Sequence, residues 1–373
     1  MIARAIAPRI LKGLDDGRIV VLYGARQVGK TTLAKQLADK IDPGYLYLDC
    51  DNPSIRSSLS DKNLPDLIRV IGMATKTVVI DEGQRVSNIG LALKQLYDAN
   101  LGLKIIVTGS SSFEITDKIV EPLTGRAYSY VIWPLSMLEL TGTRYIDQQQ
   151  LIEGQLLYGS YPEVATNSTT DVKNYLKNLC DNYLYKDLLQ NGVVRSEQDI
   201  RKLLVALAYQ VSGEVSISEL SRLLGLDDRT VNRLLDLLEK SFIIHRLWPI
   251  TNPIRNSVRK MSRVYFYDLG IRNSLINGFS EIELRADKGA LWENFCINER
   301  LKYIAAESIY VNRYFWRSYN GGEVDYIEEA DGKLMPYEFK WSKKNAKLPP
   351  SFVSSLEVQS LKVVNKETIN ELY

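Results

Sequence analysis

The chain has 373 residues, of which 45% are hydrophobic and 25% charged, and its formal net charge is +2. That length predicts roughly two to four domains, and no apolar run approaches the eighteen or so residues that a membrane span requires. Scattered cysteines without a CxxC pair and a single histidine argue against zinc sites, His-rich metal centres and Ser-His-Asp hydrolases. We therefore expect a cytoplasmic protein without a membrane anchor, in which any nucleic-acid footprint is local rather than global.

A phosphate-binding loop follows the first predicted strand. IVVLY, residues 19–23, has the pattern of a buried strand, GARQVGKTT comes next, and LAKQLADK predicts a helix. This is G-x-x-x-x-G-K-T in the strand-loop-helix context that the motif requires. Backbone N–H groups of such a loop approach phosphate, while Lys30 reaches the β- and γ-phosphates and Thr31 binds Mg²⁺. We predict that ATP or ADP binds to Gly24, Ala25, Arg26, Gln27, Val28, Gly29, Lys30, Thr31 and Thr32.

Further predicted strands end in polar residues that suit the same site. YLYLD (45–49) and TVVIDE (77–82) are apolar runs that end in acids, and KIIVTGSSS (104–112) ends in small hydroxyl residues. Asp81 is placed to order Mg²⁺, and Glu82 is placed to polarise the attacking water. Ser110 is the candidate sensor of the γ-phosphate, with a plain Gly-Ser turn as the alternative.

An arginine precedes the fifth predicted strand, in LTGRAYSYV. Arg126 could reach a nucleotide bound to a neighbouring subunit of a homo-oligomer, as an arginine finger does. A surface residue in a salt bridge is the equal alternative, because sequence does not give the geometry.

Together these motifs resemble the AAA+ group of P-loop ATPases. More closely, GARQVGKTT, IDEGQ, TGSS, LTGR and WPLSMLE are similar to a family of prokaryotic AAA+ ATPases. Members of that family carry a C-terminal domain of unknown function related to PD-(D/E)XK nucleases. The resemblance covers nearly the whole chain and departs from the family at Gly83, where an apolar residue is expected.

The middle of the chain predicts a winged helix-turn-helix. We expect helices over residues 200–210, 218–224 and 230–240, a short strand over 214–217, and a returning strand in FIIHRLWP. Arg229, Asn232 and Arg233 begin the candidate recognition helix and would face DNA bases. The alternative is a lid or protein-contact module. The basic residues ahead of the next strand predict a phosphate contact, or else a solvated linker: Arg255, Arg259, Lys260 and Arg263.

The C-terminal part contains acids in the order of the PD-(D/E)XK superfamily. Glu293 lies on an amphipathic helix, Asp325 follows a predicted hairpin turn at Asn320-Gly321-Gly322, and YEFKW places Glu338 and Lys340 on one strand face. We predict that Glu293, Asp325 and Glu338 bind Mg²⁺ and that Lys340 stabilises charge at a scissile phosphate. GALWENF, GGEVDY and YEFKW match the family's landmarks for this domain.

We predict a multidomain α/β protein with a P-loop (AAA+/ASCE) parallel sheet, a helical and winged-helix middle and a C-terminal PD-(D/E)XK-like α/β domain. The expected boundaries are 1–140 for the ATPase core, 141–195 for a helical lid or linker, 196–250 for the winged helix and 251–373 for the nuclease-like domain. The predicted function is a DNA-directed ATPase whose nucleotide state is coupled to a domain that cleaves DNA. The alternative is a nucleotide-dependent regulatory switch in which that domain is a non-catalytic docking module.

Overall fold

The structure is a computed structural model. It describes residues 2–110, 119, 121–142, 147–166, 169–181, 196–250, 261–318, 321–342, 345–353 and 358–373. The chain divides into two compact units: Met1–Leu135 with Lys240–Phe242, and Ser136–Glu239 with Ile243–Tyr373. Within the described part of the chain, no helix is both long enough and apolar enough to cross a membrane.

The first unit alternates helices with the strands of a parallel sheet. Its strands are β1 (Ile19–Tyr23), β2 (Leu46–Asp49), β3 (Thr77–Asp81), β4 (Lys104–Gly109) and β5 (Ala127–Val131). Its helices are α1 (Ala7–Asp15), α2 (Lys30–Ile41), α3 (Pro53–Leu59), α4 (Leu64–Ile71) and α5 (Ile89–Asp98), with a 3₁₀ turn at Gly83–Arg85. The sheet order is β2-β3-β4-β1-β5, and each neighbouring pair is parallel. The strands predicted from their apolar runs are confirmed.

The strand order of the first unit determines where its polar residues meet. Every residue of β3 is buried, because helices cover both faces of a parallel sheet of this kind. Since β3 lies between β2 and β4, and β1 follows β4, the carboxyl ends of these strands share one edge. Asp81, Ser110 and the loop after Tyr23 therefore converge at that edge, where α/β sheets bind ligands.

The second unit contains the remaining helices. They are α6 (Met137–Thr141), α7 (Gln148–Tyr158), α8 (Pro162–Ala165), α9 (Val172–Leu179), α10 (Glu197–Tyr209), α11 (Ile217–Leu224), α12 (Asp228–Lys240, whose last residue falls in the first unit), α13 (Leu269–Leu275), α14 (Lys288–Glu307) and α15 (Pro350–Val353). Short 3₁₀ turns occur at Ile282–Leu284 and Ile369–Leu372. Leu203, Leu207, Val231 and Leu234 join α10 to α12 in one buried cluster. The helices predicted over 200–210, 218–224 and 230–240 are thus present, although α12 begins two residues before the predicted start.

A mixed sheet runs through the second unit. Its strands are β6 (Glu214–Ser216), β7 (Ile244–Pro249), β8 (Met261–Phe266), β9 (Asn312–Arg317), β10 (Glu323–Ala330), β11 (Lys333–Phe339) and β12 (Lys362–Val364). The order of this 7-stranded sheet is β12-β11-β10-β9-β7-β8-β6. β7 and β8 are antiparallel, as are β9 and β10, while β7 and β9 pair in parallel through Trp248 and Tyr314. One sheet therefore extends across the predicted boundary at residue 250.

Candidate functional site

The loop between β1 and α2 has the backbone that phosphate binding needs. Gly24 has a φ of +149°, and a Cβ there would lie 2.3 Å from the backbone oxygen of Ile132. Gly29 is the N-cap of α2 and has a φ of +93°. Only glycine adopts the first conformation at so close an approach, so the sequence preference for glycine has a steric origin. The loop ends where the N–H groups of α2 begin, which favours an anion.

Lys30 lies under this loop rather than in solvent. Its side chain is buried at 5% exposure. The Nζ atom donates to the backbone oxygens of Gly24 at 3.0 Å and Ala25 at 2.7 Å. The ammonium group is thus positioned within the loop that would surround the β- and γ-phosphates.

Asp81, at the end of β3, accepts hydrogen bonds from neutral hydroxyl groups. Thr31 Oγ1 donates to Oδ1 at 2.9 Å and lies 3.0 Å from Oδ2. Tyr47 Oη donates to Oδ2 at 2.7 Å, and Thr108 Oγ1 donates to Oδ1. The predicted pair of Thr31 and Asp81 is therefore brought together by the fold, and no basic side chain cancels the carboxylate charge among these contacts.

Sequence reasoning missed Tyr47 and Thr108. Tyr47 lies on β2 next to β3, and burial together with its hydrogen bond to Asp81 raises the pKa of its hydroxyl. Thr108 is fully buried on β4, the strand on the other side of β3. Strand order would have identified both residues, but order within a parallel sheet is not readable from one sequence.

Glu82 is oriented by its own backbone and by two polar neighbours. It adopts a left-handed conformation with a φ of +52°, and its N–H donates to Thr108 Oγ1 at 3.1 Å. Gln84 Nε2 donates to Glu82 Oε2 at 2.6 Å, and Ser110 Oγ donates to the same oxygen at 3.2 Å. The side chains of Gln84 and Ser110 are also 3.1 Å apart. Ser110 thus contacts the predicted base, a role that the sequence did not indicate.

The departure at Gly83 has a packing explanation. A Cβ at this position would lie 2.6 Å from Cγ1 of Val107 on β4. That distance is far below normal carbon contact, so an apolar side chain here would require the turn to shift. The glycine lets the 3₁₀ turn after Glu82 approach the sheet closely, which places Gln84 beside Glu82.

Arg126 forms a salt bridge within the first unit. Its Nε lies 2.7 Å from Asp98 Oδ1 and its Nη2 lies 3.2 Å from Oδ2, a bidentate contact at the end of α5. This hydrogen bond lowers the pKa of Asp98, and both side chains are partly exposed. The surface salt bridge that the sequence left open is therefore present, while the role as an arginine finger stays a prediction.

The donor set of this first site fits a magnesium-nucleotide. Mg²⁺ prefers hydroxyl and carboxylate oxygens and commonly bridges protein to phosphate. Thr31 and Asp81 supply both kinds of oxygen at the mouth of the phosphate loop. The base candidate, Glu82, is the next residue along the chain.

The acids predicted in the C-terminal part converge in the second unit. Glu293 extends from α14, Asp325 from β10 and Glu338 from β11, and Lys340 immediately follows β11. Lys340 Nζ lies 2.6 Å from Glu338 Oε2 and 3.2 Å from Asp325 Oδ2. The E-x-K side chains therefore share one strand face, as the period of two predicts.

Arg263 on β8 is part of the same cluster, contrary to its predicted role. Its Nη1 lies 3.1 Å from Glu293 Oε1 and 3.7 Å from Asp325 Oδ1, and its Nη2 lies 2.9 Å from Glu323 Oε2. The side chain is only 5% exposed. The expectation that Arg263 contacts DNA phosphate is therefore wrong for this residue, since strand β8 buries it among acids. Arg255, Arg259 and Lys260 lie outside the described residues.

Burial and mutual repulsion raise the pKa values of two carboxyl groups here. Burial, followed by the charge of Asp325, raises the pKa of Glu293 to about 8 although Arg263 lowers it. The same causes raise the pKa of Glu338 to about 7 against the opposing effect of Lys340. Near neutral pH the cluster thus carries less negative charge than its number of acids suggests.

The donor set of the C-terminal cluster does not fit a metal ion as predicted. Throughout the described ranges, no group of three or more His, Cys, Asp or Glu side chains could hold one. Glu293 Oε1 accepts from Arg263 at 3.1 Å and from Tyr265 Oη at 2.7 Å. Asp325 Oδ2 accepts from the Phe339 N–H at 2.9 Å as well as from Lys340. Each carboxylate predicted to bind Mg²⁺ therefore already has at least one oxygen in contact with a donor of the chain.

The predicted recognition helix presents polar side chains to solvent. Arg229, Asn232 and Arg233 are exposed near the start of α12, one turn apart or less. Asn232 Nδ2 donates to the backbone oxygen of Asp228 at 2.9 Å. The opposite face of α12 is apolar and buried, with Val231 and Leu234 in the core. The residues predicted to face DNA are thus accessible.

Comparisons with known proteins match three consecutive parts of the chain. Residues 16–141 match the model of an AAA domain, and residues 149–282 and 288–370 match models of two domains of unknown function. A protein of Mycobacterium tuberculosis, named as uncharacterized, is 27% identical over 342 residues, which cover 90% of this chain and 73% of that protein. An uncharacterized protein of Methanocaldococcus jannaschii is 25% identical, covering 86% of this chain and 74% of its own length.

Solved structures show more distant likeness. The RuvB Holliday junction branch migration motor of Thermotoga maritima covers 70% of this chain and 92% of its own, with 15% identity and a TM-score of 0.35. AMPPCP-bound DnaA from Aquifex aeolicus covers 63% of this chain and 86% of its own, with 16% identity and a TM-score of 0.33. The parallel sheet, the phosphate loop and the family match agree: residues 16–141 form an AAA-type P-loop domain.

Proposed function

We propose that the first unit binds and hydrolyses ATP. The observation that carries this proposal is the convergence of Lys30, Thr31, Asp81 and Glu82 at one edge of the parallel sheet. These are the residue types that bind phosphate, bind the metal and activate water in P-loop ATPases. The mycobacterial and Methanocaldococcus relatives are both named as uncharacterized, so the proposal rests on this geometry and on the match to an AAA domain.

Each residue of this nucleotide site has a separate role. The loop N–H groups and Lys30 bind the phosphates, and Thr31 with Asp81 would hold the metal, which neutralises charge on the phosphates when bound. Glu82 orients and polarises the attacking water as a general base. Gln84 and Ser110 keep the Glu82 carboxylate in one orientation through the hydrogen bonds at 2.6 Å and 3.2 Å.

ATP turnover by the purified full chain tests the proposal. We expect Glu82→Gln to retain ATP binding and to lower kcat by roughly 10²- to 10⁴-fold, the usual contribution of a general base. Lys30→Ala should lose ATP binding. Lys40→Ala and Glu121→Gln, which change exposed residues of the same unit, are the matched controls. Hydrolysis that survives in Glu82→Gln and Lys30→Ala would overturn the assignment.

We also propose that the protein is DNA-directed, through the exposed start of α12 in a winged-helix module. Helix α12 follows α11 after a short turn, and β7 and β8 return as an antiparallel pair, which is the element order of that module. Arg229 and Arg233 are accessible to phosphate or base edges. The DNA-bound form would differ from the free form in ATP turnover, which links the two activities of the chain.

Salt-dependent DNA binding tests this second proposal. Arg229→Ala combined with Arg233→Ala should weaken binding and reduce the slope of log K against log salt by about 2, because each phosphate contact contributes roughly 0.9. Arg69→Ala is the control, since this arginine is 78% exposed and lies in the first unit. Equal loss of binding in the control, or no DNA binding and no change of ATP turnover with DNA, would contradict the proposal.

For the C-terminal cluster, the geometry favours the docking alternative over DNA cleavage. Arg263 contacts two of the acids that cleavage would require as metal ligands, Glu293 at 3.1 Å and Asp325 at 3.7 Å. Plasmid and linear DNA can be incubated with Mg²⁺ or Mn²⁺, with and without ATP, alongside the Lys340→Ala and Lys30→Ala variants. We expect no cutting. Cutting that disappears in Lys340→Ala would restore the nuclease hypothesis, and the Lys30→Ala variant would then show whether nucleotide controls it.

A further inference from the structure

The guanidinium of Arg263 occupies the centre of the acidic cluster of the second unit. It contacts Glu293 at 3.1 Å, Glu323 at 2.9 Å and Asp325 at 3.7 Å, which lie on two separate elements. The acids come from α14 and β10, while the arginine comes from β8. A single cation thus bridges carboxylates that are distant in sequence, which is what a metal ion does in an acidic site.

The position of this guanidinium is fixed by burial as well as by charge. Arg263 is 5% exposed, Glu293 is 14% exposed and Asp325 is 4% exposed, measured on the side chains. The aromatic ring of Phe315 on β9 lies 4.9 Å from the guanidinium carbon. Removing one partner of a buried ion pair is strongly destabilising, because it leaves an uncompensated buried charge. The guanidinium of Arg263 is therefore held inside the second unit rather than in solvent.

We propose that Arg263 is an internal replacement for a divalent cation, so that the acidic cluster of the second unit is stable and complete without metal. Arginine is never deprotonated in proteins, so this positive charge is permanent. A bound metal, in contrast, exchanges with solvent and is removed by chelators. The inference is independent of ATP hydrolysis, since all of its residues belong to the second unit.

The proposal makes Arg263 the residue that excludes metal. Removing it leaves Glu293, Glu323 and Asp325 without their shared cation, and a divalent ion becomes the natural substitute. Arg263→Gln keeps a polar side chain with the same first three carbons, while shortening it and removing the charge. Arg300→Gln is the matched control, because Arg300 is another buried arginine of this unit, paired with Glu328 through contacts of 2.7 Å.

Mn²⁺ binding to the nucleotide-free full chain, followed by electron paramagnetic resonance, is the experiment. An Asp81→Asn background removes any contribution from the first unit. The unmodified cluster should bind no Mn²⁺ in the micromolar range, and neither Mn²⁺ nor a chelator should change its thermal unfolding. Arg263→Gln should gain Mn²⁺ affinity by about tenfold or more, comparable to what single groups around metals contribute. Arg300→Gln should gain none.

Several outcomes would overturn the proposal. One is micromolar Mn²⁺ binding by the unmodified cluster that is lost in Glu338→Gln or Asp325→Asn. Another is a folded Arg263→Gln variant that binds no more Mn²⁺ than Arg300→Gln does. If Arg263→Gln does not fold, the proposal is decided by the Mn²⁺ and chelator measurements on the cluster with Arg263 intact, where a response to either contradicts it and no response supports it.

Discussion

Gln84 is a sharp test of the proposed ATPase mechanism, because its predicted effect is on orientation and not on binding. Gln84 is 4% exposed, and its Nε2 donates to Glu82 Oε2 at 2.6 Å. It does not belong to the phosphate loop, and its Nε2 contacts the Glu82 and Ser110 side chains. Gln84→Ala therefore removes one of the groups that orient the general base. The hydrogen bonds of the phosphate loop and of Asp81 are not changed by this substitution.

The size of the effect follows from the strength of that hydrogen bond. A hydrogen bond to a charged group contributes about 1.5–3 kcal/mol, and 1.36 kcal/mol corresponds to a tenfold change in rate, so kcat should fall by roughly 10- to 150-fold. Ser110 keeps its contact at 3.2 Å, which favours the lower end. The KM for ATP should remain within about twofold, since uniform binding is not affected.

Steady-state ATP hydrolysis measures the predicted fall in kcat, with a substitution of another glutamine as the matched control. Gln95→Ala changes another glutamine of the first unit, one whose Nε2 donates to the Lys62 backbone oxygen at 3.3 Å and not to the site. A Gln84→Glu variant adds a second carboxylate beside Glu82 and should be slower than Gln84→Ala. If Gln84→Ala hydrolyses ATP at the wild-type kcat, or if only its KM changes, the reasoning on Glu82 orientation is refuted.

Further predictions concern stability and metal dependence. Gly24→Ala should destabilise the first unit by roughly 1–3 kcal/mol in urea unfolding and should abolish nucleotide binding. The reason is that the new Cβ would lie 2.3 Å from the backbone oxygen of Ile132. Unchanged stability would contradict this packing argument. Tyr47→Phe should raise the half-saturating Mg²⁺ concentration of ATP hydrolysis by about tenfold with little change in the KM for ATP. The reason is that Asp81 loses the hydrogen bond from the Tyr47 hydroxyl at 2.7 Å. An unchanged Mg²⁺ requirement would contradict this prediction. Burial lowers the pKa of His245 to about 4 from an ordinary value of 6.5. As pH falls from 6.5 to 4, the unfolded chain therefore binds a proton at His245 before the folded chain does, and the free energy of unfolding falls by up to about 3 kcal/mol. Urea unfolding of His245→Gln should show a correspondingly smaller fall over the same pH range. Parallel pH profiles of the two proteins would refute this prediction.

The first unit was largely predictable because its sequence signals are local. A buried strand, a glycine-containing loop and a helix occur consecutively in residues 19–41, so the position of Lys30 and Thr31 follows from chain order alone. The apolar run before Asp81 likewise fixed β3. What could not be predicted was the partnership of Asp81 with Tyr47 and Thr108, since it depends on which strands flank β3. That order is set by packing across the whole sheet.

The sequence predicted four residues of the C-terminal cluster, but it did not predict the arginine that balances the charge of the acids. The periods of helix and strand placed Glu293, Asp325, Glu338 and Lys340 on converging faces, and the fold brings them together. The arginine that completes the cluster is Arg263 on β8. This strand lies between β7 and β6, two strands of the predicted winged helix. Arg263 joins the acids because β7 pairs with β9 in parallel and makes one sheet of both regions. A long-range pairing of that kind has no local sequence signal.

Asp81 and Asp325 show why similar residue types support different chemistry in the two units. Asp81 accepts its hydrogen bonds from the hydroxyls of Thr31, Tyr47 and Thr108, which orient the carboxylate and carry no charge themselves. Asp325 instead lies 3.2 Å from the Lys340 ammonium and 3.7 Å from the Arg263 guanidinium. Neutral donors preserve the field that attracts a divalent cation, whereas fixed cations cancel it. The charge of the donors around each aspartate, more than the presence of the aspartate, therefore separates the site that we propose for Mg²⁺ from the cluster that we propose is complete without a metal.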